Sequence, residues 1–248
     1  MESELKQQED RLQNLLKEWN FELSGKQLEQ LTLYYENLTE WNKVMDLTNI
    51  QDPRDVYEKH FLDSCSIVRE KKILENFGVG TKVIDVGTGA GFPGLVIAIL
   101  FPEWEITLMD SLNKRINFLE DTAKKLSLEN VACIHSRAED LGRDKQHREK
   151  YDLAVSRAVA DLSVLAEYCL PFVKKGGYFI PYKGKKGEEE VKESKKALSV
   201  LGGKMIAADS FELPGTDYER MLILIRKEKE TPGRYPRKAG TPKKEPIR

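Results

Sequence analysis

Cysteine and histidine are scarce in this chain. Only three cysteines, Cys65, Cys133 and Cys169, stand among its 248 residues. They lie tens of residues apart, and no C-x-x-C pair occurs. This excludes a disulfide framework and a thiolate zinc site, and reduced, buried thiols are the expected state. The three histidines, His60, His135 and His147, are equally dispersed, and H-E-x-x-H is missing, so no metal centre is expected. Long apolar runs are missing too. The longest, near residues 95–101, is far short of a membrane span, and the polar start Met1-Glu-Ser-Glu-Leu-Lys6 has no apolar signal core. A soluble, cytoplasmic protein with no membrane partner is the expectation. Nor is there an excess of one charge. The balance of 40 Lys+Arg against 41 Asp+Glu gives −1. That argues against a uniformly basic nucleic-acid binder, so any RNA footprint must be local.

Hydrophobic residues make up 40% of the chain, enough for one packed α/β domain and an accessory segment. Residues 1–76 read as that segment, and it is helical. Leu12, Leu15, Leu16 and Trp19 recur at helical spacing. Ser24 and Gln27 form a capping box ahead of the apolar face Leu28, Leu31, Tyr34, Tyr35, Leu38 and Trp41. Asp52-Pro53 opens a third helix. From about residue 77, short β-rich runs (82–86, 105–109, 131–135, 153–155, 178–182) alternate with helical stretches (95–101, 114–126, 162–173). Alternation of this kind predicts a Rossmann-like, doubly wound, mostly parallel sheet over residues 77–228. Runs at 204–211 and 221–225, joined by a loop alone, predict a terminal antiparallel pair. Residues 229–248 hold four prolines, with seven basic and two acidic side chains, a net 7 − 2 = +5. Residues 1–80 carry ten basic and sixteen acidic ones, 10 − 16 = −6. The last twenty residues are too polar for a core of their own and are expected to form an extended basic tail.

The strongest motif is Asp85-Val-Gly87-Thr-Gly89-Ala-Gly91-Phe92-Pro93-Gly94, after a predicted strand and before a helix. Open α/β sheets bind ligands at that point. A dinucleotide pattern G-x-G-x-x-G begun at Gly87 fails at Phe92. Begun at Gly89 it fits, but is displaced from the strand end and holds a proline. Asp85 would repel a pyrophosphate. It suits S-adenosylmethionine, whose sulfonium and ammonium are positive. Asp110, 23 positions beyond Gly87 at the end of the next strand, can accept from ribose hydroxyls, or cap the following helix. Ser136-Arg137-Ala138-Glu139-Asp140 borders the adenine position in such a sheet, or serves as a helix entry.

Together these motifs resemble the small-subunit rRNA guanine-N7 methyltransferases of the RsmG (GidB) type, over nearly the whole chain. Matching segments include Asn42-Lys-Val-Met-Asp-Leu-Thr48-Asn49-Ile50, His60-Phe-Leu-Asp63-Ser64, the glycine loop, and Asp110-Ser-Leu-Asn-Lys114-Arg115. Further matches are Arg137-Ala-Glu139, Ser156-Arg157-Ala-Val-Ala160, Lys183-Gly184 and the tail from Thr231 to Gly240. The resemblance implies a class I S-adenosyl-L-methionine-dependent methyltransferase fold. It implies methylation of guanine N7, at guanosine 527, in bacterial 16S ribosomal RNA or the small ribosomal subunit. It also implies cofactor contacts from Gly87, Phe92, Ala138, Glu139 and Arg157, joining Asp85, Gly89 and Asp110 from the reading above. A monomer is expected.

The loop after the fourth strand lacks an Asn-Pro-Pro-Tyr-like motif for exocyclic amines and a cysteine for C5 of pyrimidines. Guanine N7 needs neither, since its lone pair attacks without losing a proton. In-line positioning is then the main source of catalysis. Arg157 is the candidate for orienting the base, by stacking or by bonding O6, with a carboxylate pairing as the other reading. His60 and Asp63 form either an acid/base pair or a packing contact. Lys183-Gly-Lys185-Lys186 and the tail could hold phosphates, or be solvated surface. A small-molecule methyltransferase and a non-catalytic RNA-binding assembly factor are the competing functions.

Overall fold

A computed structural model describes residues 2–248. Seven strands form one sheet in the order β3-β2-β1-β4-β5-β7-β6. They are β1 (Lys82–Val86), β2 (Glu105–Asp110), β3 (Val131–His135), β4 (Tyr151–Arg157), β5 (Val173–Lys183), β6 (Gly203–Glu212) and β7 (Glu219–Lys227). The first five pair in parallel, and β7 runs antiparallel to both β5 and β6. Side chains alternate across the sheet. Val83 therefore enters the core on one face, while Ile84 and Val86 enter the core on the other. Both faces are covered, which is why β1 is apolar along nearly its whole length.

The covers differ. On one face lie the Gly94–Leu100 and Asn113–Lys125 helices. Every residue of Gly94–Leu100 is buried, and each large aliphatic side chain there contributes roughly 1.5–3 kcal/mol relative to exposure. Its outer side is closed by the N-terminal helices, Glu2–Leu16 and Gly25–Asn42, whose leucines and tyrosines join the same core. The helical segment is thus a third layer on the sheet and shares its core.

Polar groups fix that layer. The Gln27 side chain accepts from Ser24 N (2.8 Å), closing the predicted capping box, and donates to Ile99 O (2.9 Å) and Leu100 O (3.1 Å). One side chain therefore satisfies the start of one helix and the carbonyl end of another. Asp121 accepts from Trp41 Nε1 (2.8 Å) and Asn37 Nδ2 (3.1 Å). The third helix begins at Pro53, as predicted, but passes through a π-helical stretch, Tyr57–Leu62, before the closing turn Asp63–Cys65. Such stretches recur at functional sites.

Residues 229–248 do not extend from the body. Arg148 donates to Tyr235 O (2.8 Å) and Thr231 O (2.6 Å). Arg237 grips the buried Glu167 carboxylate through Nε (3.0 Å) and Nη2 (2.7 Å), a bidentate pair. The Lys227 ammonium is fully buried and donates to Leu170 O (2.5 Å) and Thr231 Oγ1 (2.7 Å). Burial pulls its pKa down to about 8. The expectation of an extended tail fails because these residues attach through hydrogen bonds and a few buried rings, Tyr235, Pro236 and Pro242, rather than through a continuous apolar face.

Candidate active site

A cleft of about 710 Å³ opens at the carboxyl ends of β1, β2 and β4. Of the sequence-predicted cofactor residues, Gly87, Gly89, Phe92, Asp110, Ala138, Glu139 and Arg157 all line it. Asp85 does not. It is fully buried beneath the glycine loop, where Oδ2 accepts from Thr88 Oγ1 (2.6 Å) and Gly94 N (2.7 Å). Its carboxylate shapes the loop from below and does not line the cleft, unlike the other expected cofactor residues. Burial raises its pKa to about 6, although both hydrogen bonds oppose this. Gly94 must lack a side chain, because a Cβ there would stand 2.7 Å from Asp85 Oδ2 and 2.3 Å from Leu108 Cδ2. Gly89 has φ +63° and no atom within 4 Å of a Cβ built on it. That open space is volume for a bound molecule.

Asp110 is buried at the end of β2. It accepts from Gly89 N (3.0 Å), Leu112 N (2.9 Å) and Arg115 Nη1 (3.2 Å). A carboxylate offers about four acceptor positions, so one remains for a ribose hydroxyl. Asp110 does not cap the following helix: the N-cap is Leu112, which has no side-chain cap, and Asp110 bonds the N–H of that residue. Glu139 opens the short Ala138–Leu141 helix and accepts from Gly240 N (2.9 Å). This bond brings Lys243 and Lys244 onto the cleft wall. Composition and charge suggested phosphate contacts for the tail but did not place it at this cleft.

On the opposite wall, Arg157 leaves the end of β4 with its side chain 12% exposed. Its Nη1 donates to Asp63 Oδ2 (2.9 Å) and Lys59 O (3.1 Å), and its guanidinium lies 5.1 Å from the Phe92 ring centroid. Asp63 also pairs with Arg220 Nε (3.0 Å). The carboxylate reading of Arg157 is therefore realised, and the guanidinium still faces the cleft. His60 stacks on Phe92 at 4.5 Å, and Phe92 stacks in turn on Tyr34 at 5.2 Å. His60 Nδ1 lies 3.2 Å from Arg157 Nη2. Nδ1 also lies 3.2 Å from Lys59 O, which could accept a proton from it. That carbonyl already accepts from Arg157 Nη1, and a proton on Nδ1 would face a guanidinium that can only donate, so we assign Nδ1 as the acceptor. The ring is then neutral with its proton on Nε2, which donates to Thr48 Oγ1 (3.0 Å). His60 and Asp63 are not an acid/base pair; Arg157 stands between them.

Burial and the Arg157 charge push the His60 pKa down to about 3. A histidine that charges more readily unfolded favours folding at neutral pH and opposes it on acidification. The contribution is complete above about 6.5, the unfolded value. It is lost progressively as pH falls toward about 3. Urea midpoints measured from pH 7 to pH 4 should fall less steeply for His60→Gln than for the parent chain. Parallel slopes would show that His60 is not buried as a neutral ring. Asp85 works in the opposite direction in both proteins and cancels in the comparison.

A second hollow of about 590 Å³ shares His60, Arg157, Ala158, Val159 and Ala160 with the cleft, and adds Tyr218, Arg220 and Lys183. Ala158 holds a left-handed φ of +57° at this junction. Lys183 is buried and bonded to Ala160 O (2.6 Å) and Glu190 (2.6 Å), so it supports the loop after β4. Among the described residues, no cluster of His, Cys, Asp and Glu could hold a metal ion, and no helix is long and apolar enough to cross a membrane.

The strand order, the antiparallel β7, the glycine loop after β1 and the acid ending β2 define a class I S-adenosylmethionine-dependent methyltransferase. The fold is shared with the 16S rRNA (adenine(1408)-N(1))-methyltransferase of Catenulisporales acidiphilia. The TM-score is 0.53 at 15% identity, covering 61% of this chain and 87% of that one. The chain belongs to the rRNA small subunit methyltransferase G (GidB) family, whose model matches residues 27–219. It is 51% identical to ribosomal RNA small subunit methyltransferase G of Alkaliphilus oremlandii over 96% of this chain and 99% of that protein. It is 49% identical to the Staphylococcus aureus protein of the same name, over 94% and 95%.

Proposed function

We propose that this protein transfers a methyl group from S-adenosyl-L-methionine to N7 of one guanine, guanosine 527, in bacterial 16S ribosomal RNA. It acts as a cytoplasmic monomer on the RNA or the small subunit. Family membership supports rRNA as the substrate. The observation that supports N7 is the state of His60. Both its ring nitrogens are engaged, Nδ1 by Arg157 and Nε2 by Thr48, so the imidazole has no free lone pair for a substrate proton. N7 attacks through its in-plane lone pair and releases no proton, so it needs no such base.

The cofactor, when bound, supplies an electrophilic methyl carbon. The open space at Gly89 and the acceptors at Asp110 and Glu139 suit its ribose and adenine ends. Phe92, held between Tyr34 and His60, walls off the inner side. Arg157 and Val159 stand between the cleft and the second hollow, where a base turned out of the RNA can enter. Lys243 and Lys244 add positive charge near the mouth for phosphates. Arg157, fixed by Asp63 and Lys59 O, orients the base.

The test is incubation with labelled S-adenosylmethionine and rRNA, free or in subunits, that lacks native modification. Chemical strand cleavage then maps N7-methylguanine. Cleavage at a single small-subunit guanosine is expected. Label without an N7 site would overturn the target atom. No transfer to RNA or subunits would favour a small-molecule methyltransferase or a binding-only assembly factor.

A further inference from the structure

Thr48 lines the cleft beside His60, in a loop clamped by one side chain. Asn42 Oδ1 accepts from Leu47 N (2.8 Å) and Thr48 N (3.1 Å), while Asn42 Nδ2 donates to Thr48 O (2.9 Å). The backbone of Thr48 is thus fully paired and its position set in advance. The hydroxyl is also constrained. Its oxygen accepts from Ile50 N (3.1 Å) and, through the tautomer that Arg157 imposes, from His60 Nε2 (3.0 Å). A hydroxyl has two lone pairs and one hydrogen. Both acceptor positions are filled from within the protein. With the His60 proton on Nε2, a single O–H donor remains beside the cleft and has no acceptor among the described residues.

We propose that Thr48 is a specificity-determining residue whose hydroxyl donates to O6 of the target guanine. This rests on the N7 reading of the same site. On the Hoogsteen edge of guanine, N7 and O6 are neighbouring acceptors, whereas adenine presents an amine donor in place of O6. With N7 directed at the methyl carbon, O6 is the adjacent atom that needs a donor. A hydroxyl with both lone pairs filled cannot accept from an adenine amine. It therefore rewards guanine and leaves adenine's N–H unpaired, the arrangement that gives strong discrimination. The chain Arg157–His60–Thr48 makes the arginine a positioning group for this donor, because its charge and donor geometry decide which histidine nitrogen carries the proton.

The experiment compares Thr48→Val, Thr48→Ser and the parent chain. It measures S-adenosylmethionine affinity, and turnover at saturating cofactor on the rRNA or subunit that the parent chain methylates. Thr48→Val should lower turnover about 10- to 100-fold, in line with one base-edge contact. Cofactor affinity should be unchanged, and Thr48→Ser should stay within about threefold of the parent. On rRNA carrying 2-aminopurine at the target position, which keeps N7 but lacks O6, the parent and Thr48→Val should be equally slow. Parent-like turnover by Thr48→Val, a loss of cofactor affinity, or a serine variant as slow as the valine one would each overturn the proposal. Failure of the N7 reading is separate, because it is seen in the parent chain's own product.

Discussion

Gly89→Leu should weaken S-adenosylmethionine binding at least about 100-fold, equivalent to ~2.7 kcal/mol, while the chain still folds. Two features combine at this position. A side chain built on Gly89 meets no protein atom within 4 Å, so it projects into the cleft and takes cofactor volume. The φ of +63° is also one that a leucine adopts only at a cost, roughly 1–2 kcal/mol. The strain lowers stability modestly and the steric block removes binding. Titration calorimetry and thermal unfolding separate the two. A folded variant that binds the cofactor normally would remove this loop from the cofactor site. Gly87 is a poorer choice, because a Cβ there would stand 2.8 Å from Val159 Cγ2 and displace the loop after β4 as well. Gly94 is poorer still, since its substitution disturbs Asp85.

Asp63→Ala should cost about 3–5 kcal/mol of stability, the usual consequence of removing one partner from a buried ion group. Asp63 is 5% exposed and faces two guanidiniums, those of Arg157 and Arg220, which are themselves 12% and 23% exposed. Without the carboxylate, two cations share a partly dry pocket. The same change frees Arg157 to rotate, so His60 loses the partner that sets its tautomer, and methyl transfer should fall with stability. Urea unfolding gives the first quantity and single-turnover transfer the second. A loss below ~1 kcal/mol would mean that water already solvates the pair. The double variant Asp63→Leu/Arg157→Met separates the effects. It removes the Asp63–Arg157 pair and leaves only the part-exposed Arg220 charge, so it should recover part of the stability and remain inactive.

The parallel sheet was legible because burial on both faces leaves apolar runs of strand length, and β3 was read at its observed bounds. The strands read too short were those with polar work. In β4, Asp152, Ser156 and Arg157 break the apolar pattern, though each is held by a specific partner: Lys82 N, Val86 O and Asp63. In β5, Lys174, Lys175 and Gly176 are exposed, so the apolar pattern marked only residues 178–182. The glycine loop and Asp110 were readable because local sequence spacing follows the strand–turn–helix geometry. Arg157 with Asp63, 94 residues apart, was not readable as a pair, since no spacing rule spans such a distance. The burial of Asp85 beneath the glycine loop was not readable for a related reason. Sequence put it at the strand end, but only the packing of Gly94 shows that its carboxylate points beneath the loop. The final segment was misjudged on composition. Arg237 and Glu167 contribute a buried bidentate pair that a hydrophobicity count does not register.

That final segment bears on how the protein is made. Synthesis runs from the N-terminus, and elements fold as they emerge. β1 to β7 and the glycine loop all precede residues 240–244 in the chain. Gly240, Lys243 and Lys244 nonetheless form part of the cleft wall, and Gly240 is tied to Glu139. The part of the cleft wall that residues 240–244 supply is therefore made after every strand of the sheet. A chain cut short by premature termination would keep its sheet but lose one wall of its pocket, leaving a folded protein without a finished site.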